Sequence, residues 1–126
     1  LQIGIRSMDI DEKNQLDQTE HVHTIKAYDF SLESIKSILP KLHHKVFITI
    51  DVDAFDPSVI RNTGTPEPGG LMWNQIIVSL ELIFKHKQVI GADITEFSPN
   101  QNYEAEAYTL AKLTYKIMAL DSSSTE

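Results

Sequence analysis

Apolar positions along the 126-residue chain repeat with two different periods. Residues Gln2 to Arg6 form a short apolar run that predicts a buried strand. The stretch "HVHTIKAY" (21–28) alternates with β-branched residues and predicts a second extended segment. Between them, "SMDIDEKNQLDQTE" is polar and charged, which predicts a loop or a short exposed helix. From Ser31 the apolar residues Leu32, Ile35, Ile38, Leu39 and Leu42 keep helical spacing, with Ser31 placed to cap. Val46 to Ile50 is a continuous apolar run of the kind found in parallel sheets covered on both faces. Trp73, Ile76, Ile77, Leu80, Ile83 and Phe84 mark a second helix, and "QVIGADI" (88–94) reads as another buried strand. Residues 103–120 predict a third helix with Ala107, Leu110, Ala111, Thr114, Ile117 and Met118 on one stripe. The last six residues, "DSSSTE", read as a frayed tail.

Strands alternating with helices in this way predict an α/β fold with a parallel sheet, in one domain over residues 1–120 without repeat or linker. In such sheets chemistry gathers beyond the carboxyl ends of the strands. That is where "VFITIDVDAFDPS" (46–58) drives an apolar strand into Asp51, Asp53 and Asp56. On a strand, side chains at i and i+2 share a face roughly 6–7 Å apart, so Asp51 and Asp53 can lean toward one point while Val52 packs inward. Carboxylates so close repel unless a proton, a cationic side chain or a metal ion lies between them; the alternative is that they cap a turn, as Asp does readily. Asp56, just before Pro57, is read as a turn former. The loop "RNTGTPEPGG" (61–70) packs three glycines and two prolines into ten residues, which suits a single held shape. Its Thr63 and Thr65 hydroxyls can reach a carboxylate or a ligand. In "GADITEFSP" (91–99), Asp93 falls within the strand and is read as structural, while Glu96 falls just past it, where a carboxylate can grip a planar guanidinium by paired hydrogen bonds.

The segments "DVDAFDPS", "TGTPEPGG" and "GADITEFSP", in this order and spacing, resemble the ureohydrolase family of arginases and agmatinases, over nearly the whole chain. The wording "GTPEPGG" and the ending "AEAYTLAKLTYKIMAL" are closer to agmatinases. The resemblance implies a three-layer α-β-α domain, here a C-terminal part of it, and a hydrolase that releases urea from a guanidino group, agmatine to putrescine being the leading case and polyamine biosynthesis its setting. It implies two Mn2+ ions per site that lower the pKa of a shared water. Carried over by motif, Asp51 and Asp53 are metal ligands and Glu96 receives the substrate guanidinium. Thr65 sits where the loop supports that carboxylate, and Asp56 has no ligand role. The family's upstream Asp/His ligands and its proton-transfer histidine have no counterpart here, so these residues alone are expected to be inactive and to bind manganese weakly. Arginase, formimidoylglutamase and other guanidino-acid hydrolases stay open as alternatives, as does a non-catalytic scaffold of the same fold. A homo-oligomer, trimer or hexamer, is implied for the full-length protein.

Composition narrows the picture little further. A net charge of −7 without a basic cluster argues against nucleic acid and is compatible with a small cationic substrate. With no cysteine, disulfides and thiolate sites are excluded and a cytoplasmic setting is the expectation. No apolar run reaches the ~20 residues of a membrane span. None of the five histidines matches the family motifs: His21 and His23 read as exposed strand residues, and His43, His44 and His86 as helix-end residues.

Overall fold

A computed structural model describes residues 1–123. In chain order the elements are β1 (Gln2–Ile5), α1 (Ile10–Asp17), β2 (Thr24–Lys26), α2 (Leu32–Ile38), β3 (Lys45–Asp51), α3 (Trp73–His86), β4 (Gln88–Thr95) and α4 (Ala105–Ser123). This is a partial α/β domain with parallel strand pairing. The sheet comes as two parallel pairs, β1 with β2 and β3 with β4.

Local chemistry accounts for most element ends. The polar segment after β1 forms α1, because the Asp9 carboxylate accepts the Glu12 amide at 2.8 Å and Lys13 pairs with Asp17; none of its residues is buried. The extended segment expected over 21–28 shortens to three strand residues. β1 offers only four, and Gly4, at φ +92°, turns the backbone and breaks the register between Ile3 and Ile5. Ser31 caps α2 as expected by accepting the Ser34 amide at 3.0 Å. The helix stops at Ile38, and Leu39–Lys41, with Pro40, form a tight 3-10 turn. Leu42, His43 and His44 therefore lie past the α-helix, in the connection to β3, and not in its last turn. Gln75 caps α3 by accepting the Met72 amide at 2.7 Å.

Two apolar patterns resolve differently from expectation. The β3 run is not covered on both faces: Ile50 is buried, whereas Phe47 is 57% exposed and Ile90 of β4 is 61% exposed. The buried face of this pair rests on α3 and α4, with Ile50, Ile76, Leu80, Leu110 and Leu113 in one cluster joined by Ile48 and Ile94. On α4 the inward stripe is Glu106, Leu110 and Leu113, with Ile117 and Leu120 half-buried; Ala107, Ala111, Thr114 and Met118 face out. Leucines outcompete alanine and threonine for the core because they remove more apolar surface from water. α4 continues through Ser123, so Asp121–Ser123 are helical and not a tail, while 124–126 lie outside the described residues.

The stripe rotation has a measurable consequence. Leu113 is fully buried, so Leu113→Ala is expected to destabilise the protein by about 2–5 kcal/mol in urea unfolding. A loss below about 0.5 kcal/mol would place the core on the Ala107–Ala111 side instead.

Candidate functional site

β3 ends at Asp51, but Asp53 is not a strand residue. Val52–Ala54 close a single 3-10 turn for which Asp51 is the N-cap: its Oδ1 accepts the Asp53 amide at 3.1 Å. The strand geometry expected for an i, i+2 pair is thus replaced by a turn, because a short Asp side chain reaches back to the amide two residues on. Val52 is fully buried, as its apolar character requires.

Beyond the turn the chain is pinned from below by buried Phe55, Ile60 and Leu71. The Leu71 amide donates to the Ala54 carbonyl at 2.8 Å, and the Asp56 amide donates to the Leu71 carbonyl at 3.0 Å. This brings Gly70 so close that a Cβ there would sit 2.5 Å from the Phe55 carbonyl. Asp56 closes the loop. Its Oδ1 accepts from the Ser58 hydroxyl at 2.6 Å and the Ser58 amide at 2.9 Å, and its Oδ2 accepts from the amides of Gly69 and Gly70 at 2.9 and 3.2 Å. These donors, the Ser58 hydroxyl foremost, hold its pKa down at about 2. The other end of the loop hangs on Glu106, 2% exposed, whose two oxygens accept the Arg61 and Asn62 amides at 3.1 and 3.0 Å. Arg61 pairs with the same carboxylate at 3.4 Å and lies over the Tyr103 ring.

Held in this way, the loop delivers Thr65 to Asp53, its Oγ1 donating to Oδ2 at 2.8 Å. The hydrogen bond that Thr65 forms is therefore to Asp53 and not the expected one to Glu96, while the start of the loop meets the segment past β4, the Ser98 amide donating to the Asn62 carbonyl at 2.8 Å. The end of β1 closes the same region. Arg6 Nη1 donates to the carbonyls of Gly4 and Ala54 at 3.2 and 3.3 Å, and Nη2 donates to the Asp53 carbonyl. The Ser7 hydroxyl reaches the Glu67 carboxylate at 2.7 Å. Asp51, Asp53, Thr65, Glu67, Arg6 and Ser7 share one open groove of about 960 Å³.

Glu96 follows Thr95, the residue paired with Asp51 across the two strands, so it stands beside that carboxylate without lining the groove. Its φ of +63° is the one left-handed non-glycine conformation among the described residues, a strained geometry that collects at functional sites. Asp93 lies inside β4 opposite Thr49, away from the tip. Burial pushes the Asp51 carboxyl above its ordinary pKa, and the neighbouring charges of Asp53 and Glu96 add to this. A family model described as the arginase family matches residues 1–120.

The chain belongs to the arginase family. Among its relatives, the N(1)-aminopropylagmatine ureohydrolase of Thermus thermophilus is 39% identical over 122 residues, which are 95% of this chain and 41% of that protein. The agmatinase of Pyrococcus horikoshii is 34% identical over 101 residues, 80% of this chain and 36% of its own length. The crystal structure of the agmatine ureohydrolase of Thermoplasma volcanium superposes with a TM-score of 0.74 at 27% identity, over 95% of this chain and 41% of that one. The chain therefore spans 36–41% of the length of these three relatives.

For a member of the arginase family the donor chemistry at the tip of β3 fits part of a divalent-metal site. On each aspartate one oxygen is held in place, Asp51 Oδ1 by the Asp53 amide and Asp53 Oδ2 by Thr65, and the two carboxyl groups lie within hydrogen-bond reach of each other. No cationic side chain pairs with Asp51, Asp53 or Glu96 among the described residues. Hard carboxylate oxygens suit manganese or magnesium. The fit is partial: no group of three or more His, Asp or Glu among the described residues is placed to hold an ion. The contributions of Arg6, Asp56 and Glu106 lie in the tertiary contacts. An arginine two residues past a glycine, or an acid in a helix's first turn, is too common a pattern to single out.

Two outcomes test this construction in the full-length protein. Gly70→Ala is expected to destabilise it by about 1–3 kcal/mol or more, since backbone and not a flexible side chain meets the new methyl; calorimetric unfolding measures this. Asp56 has a depressed folded-state pKa, so its contribution is complete above the unfolded value of about 3.9 and fades as pH falls toward about 2. Asp56→Asn is therefore expected to unfold more easily than wild type at pH 6, with the difference shrinking between pH 4 and pH 2; a difference independent of pH would contradict it.

Proposed function

We propose that the protein hydrolyses a small cationic guanidino compound to urea and an amine, with agmatine or its aminopropyl derivative as the favoured substrate class. One observation supports this most directly. In a chain of the arginase family, two adjoining carboxylates without a cationic partner among the described residues share a strand tip, and a strained carboxylate stands at the tip of the next strand.

In this reading Asp51 and Asp53 hold two Mn2+ ions together with ligands from the part of the relatives' length that these 126 residues do not span. When bound, the ions make water a competent nucleophile at neutral pH. Thr65 holds the Asp53 carboxylate in place through Oδ2 at the wall of the groove. Glu96 accepts two N–H bonds from the flat guanidinium and orients its carbon toward the nucleophile. Water adds to that carbon, the C–N bond to the alkyl nitrogen breaks, and the nitrogen leaves as the amine. The relatives named for agmatine and aminopropylagmatine favour a substrate whose far end is cationic over one carrying a carboxylate. The full-length protein is read as a cytoplasmic homo-oligomer, trimer or hexamer; no helix among the described residues is long and apolar enough to cross a membrane.

The test is urea release by the full-length protein with manganese, on agmatine, N1-aminopropylagmatine, arginine and guanidinobutyrate. Turnover is expected on one of the first two, and no urea from any of the four overturns the reading. Glu96→Gln is expected to lower kcat/KM by about 100-fold or more, the loss of two charge-assisted bonds. Glu96→Gly is expected to abolish turnover while leaving the unfolding temperature unchanged or raised, because glycine relieves the positive φ.

A further inference from the structure

Arg6 is a cation set beside a cluster of carboxylates, yet it forms an ion pair with none of them. Its guanidinium is instead spent on backbone. Nη2 donates to the carbonyl of Asp53, and Nη1 donates to the carbonyl of the next residue, Ala54, and to that of Gly4. The Asp53 carbonyl lies in the peptide plane that follows Asp53 and the Ala54 carbonyl in the next one, so holding both fixes the backbone just after Asp53 and with it the direction in which its side chain leaves the turn. The Gly4 bond steadies the fork from its own strand, whose turn at Gly4 (φ +92°) aims Arg6 across to the Val52–Ala54 turn. The arrangement leaves Arg6 Nε buried without a partner, so it is shaped by the two outer nitrogens and not by full satisfaction of the side chain.

Counted from the Asp53 side, its amide is held by Asp51 Oδ1, its carbonyl by Arg6 and its Oδ2 by Thr65. Beyond these bonds the Asp53 carboxyl meets that of Asp51, and no cationic side chain among the described residues pairs with it. We propose that Arg6 is a positioning residue that sets the approach of the Asp53 carboxylate to a divalent cation through these backbone carbonyls. The proposal rests on the reading of Asp53 as a metal ligand. It requires the planar fork of arginine: the single ammonium of lysine cannot span three carbonyls in fixed geometry, and its mobile charge is free to swing onto the carboxylate itself.

The experiment is calorimetric titration of the full-length protein with Mn2+, comparing wild type with Arg6→Lys, Arg6→Met and Lys87→Met. Lys87 is the matched control, since its Nζ likewise donates to a backbone carbonyl, that of Leu42 at 2.8 Å, away from the carboxylates. Wild type is expected to bind two ions per chain. Both Arg6 variants are expected to bind one of the two about 10–100-fold more weakly, the range found when a group that orients a metal ligand is removed. Lys87→Met is expected to lower the unfolding temperature with both affinities unchanged. Should Arg6→Met fail to fold, Arg6→Lys, which keeps the charge, decides the question. Two ions bound with wild-type affinity by Arg6→Lys would overturn the role of Arg6 and leave the functional reading intact, whereas a wild type that binds no manganese would overturn both.

Discussion

The candidate site depends on an interleaving of charge and oil within one short segment. From Asp51 to Leu71, carboxylates that face outward alternate with side chains that are driven inward: Val52, Phe55, Ile60 and Leu71 are all buried. Each buried neighbour fixes the backbone that carries an aspartate, so the cost of holding like charges together is met by hydrophobic burial a residue or two away. A loop of this length would otherwise sample many shapes. Here it is stapled by backbone bonds between 54–56 and 71 and by carboxylates at each end. A geometry assembled before any ligand arrives is what positioning a small planar cation demands.

The carboxylates sort themselves by how far their oxygens are satisfied. Asp56 accepts four bonds and is consumed by the loop it closes. Glu106, buried, is matched by two amides and an arginine. Asp51 and Asp53 adjoin each other with no cation between them among the described residues, and Glu96 keeps its place at the expense of a strained backbone. Hydrogen-bond accounting thus separates carboxylates that build the fold from carboxylates still able to bind something, although all five are alike in composition.

The apolar run of β3 does not alternate, a pattern that predicts burial on both sides, yet Phe47 and, on β4, Ile90 lie open. Phe47 instead lays its ring over Gly91 on the neighbouring strand, where a Cβ would come within 2.7 Å of it. The 126 residues span 36–41% of the length of those three relatives, and within that span the hydrophobic material of α3 and α4 suffices for one face of this strand pair.

Local pattern determined the elements and the motifs. Periodicity alone locates β3, α3 and β4 within a residue or two, Ser31 caps as its side chain dictates, and the order of "DVDAFDPS", "TGTPEPGG" and "GADITEFSP" points to the ureohydrolases without any tertiary contact. What pattern could not decide was anything set by competition between distant groups. The inward face of α4 went to Leu113 and not to its alanines because packing volume decides. Asp53 left the strand because Asp51 captured its amide, and Thr65 went to Asp53 and not to Glu96 because the Asp56 clasp folds the loop over β3. Arg6 joined the site across 47 residues of chain. Which carboxylate oxygen is held, and by what, is a property of three-dimensional neighbours, and a linear sequence carries no record of those distances.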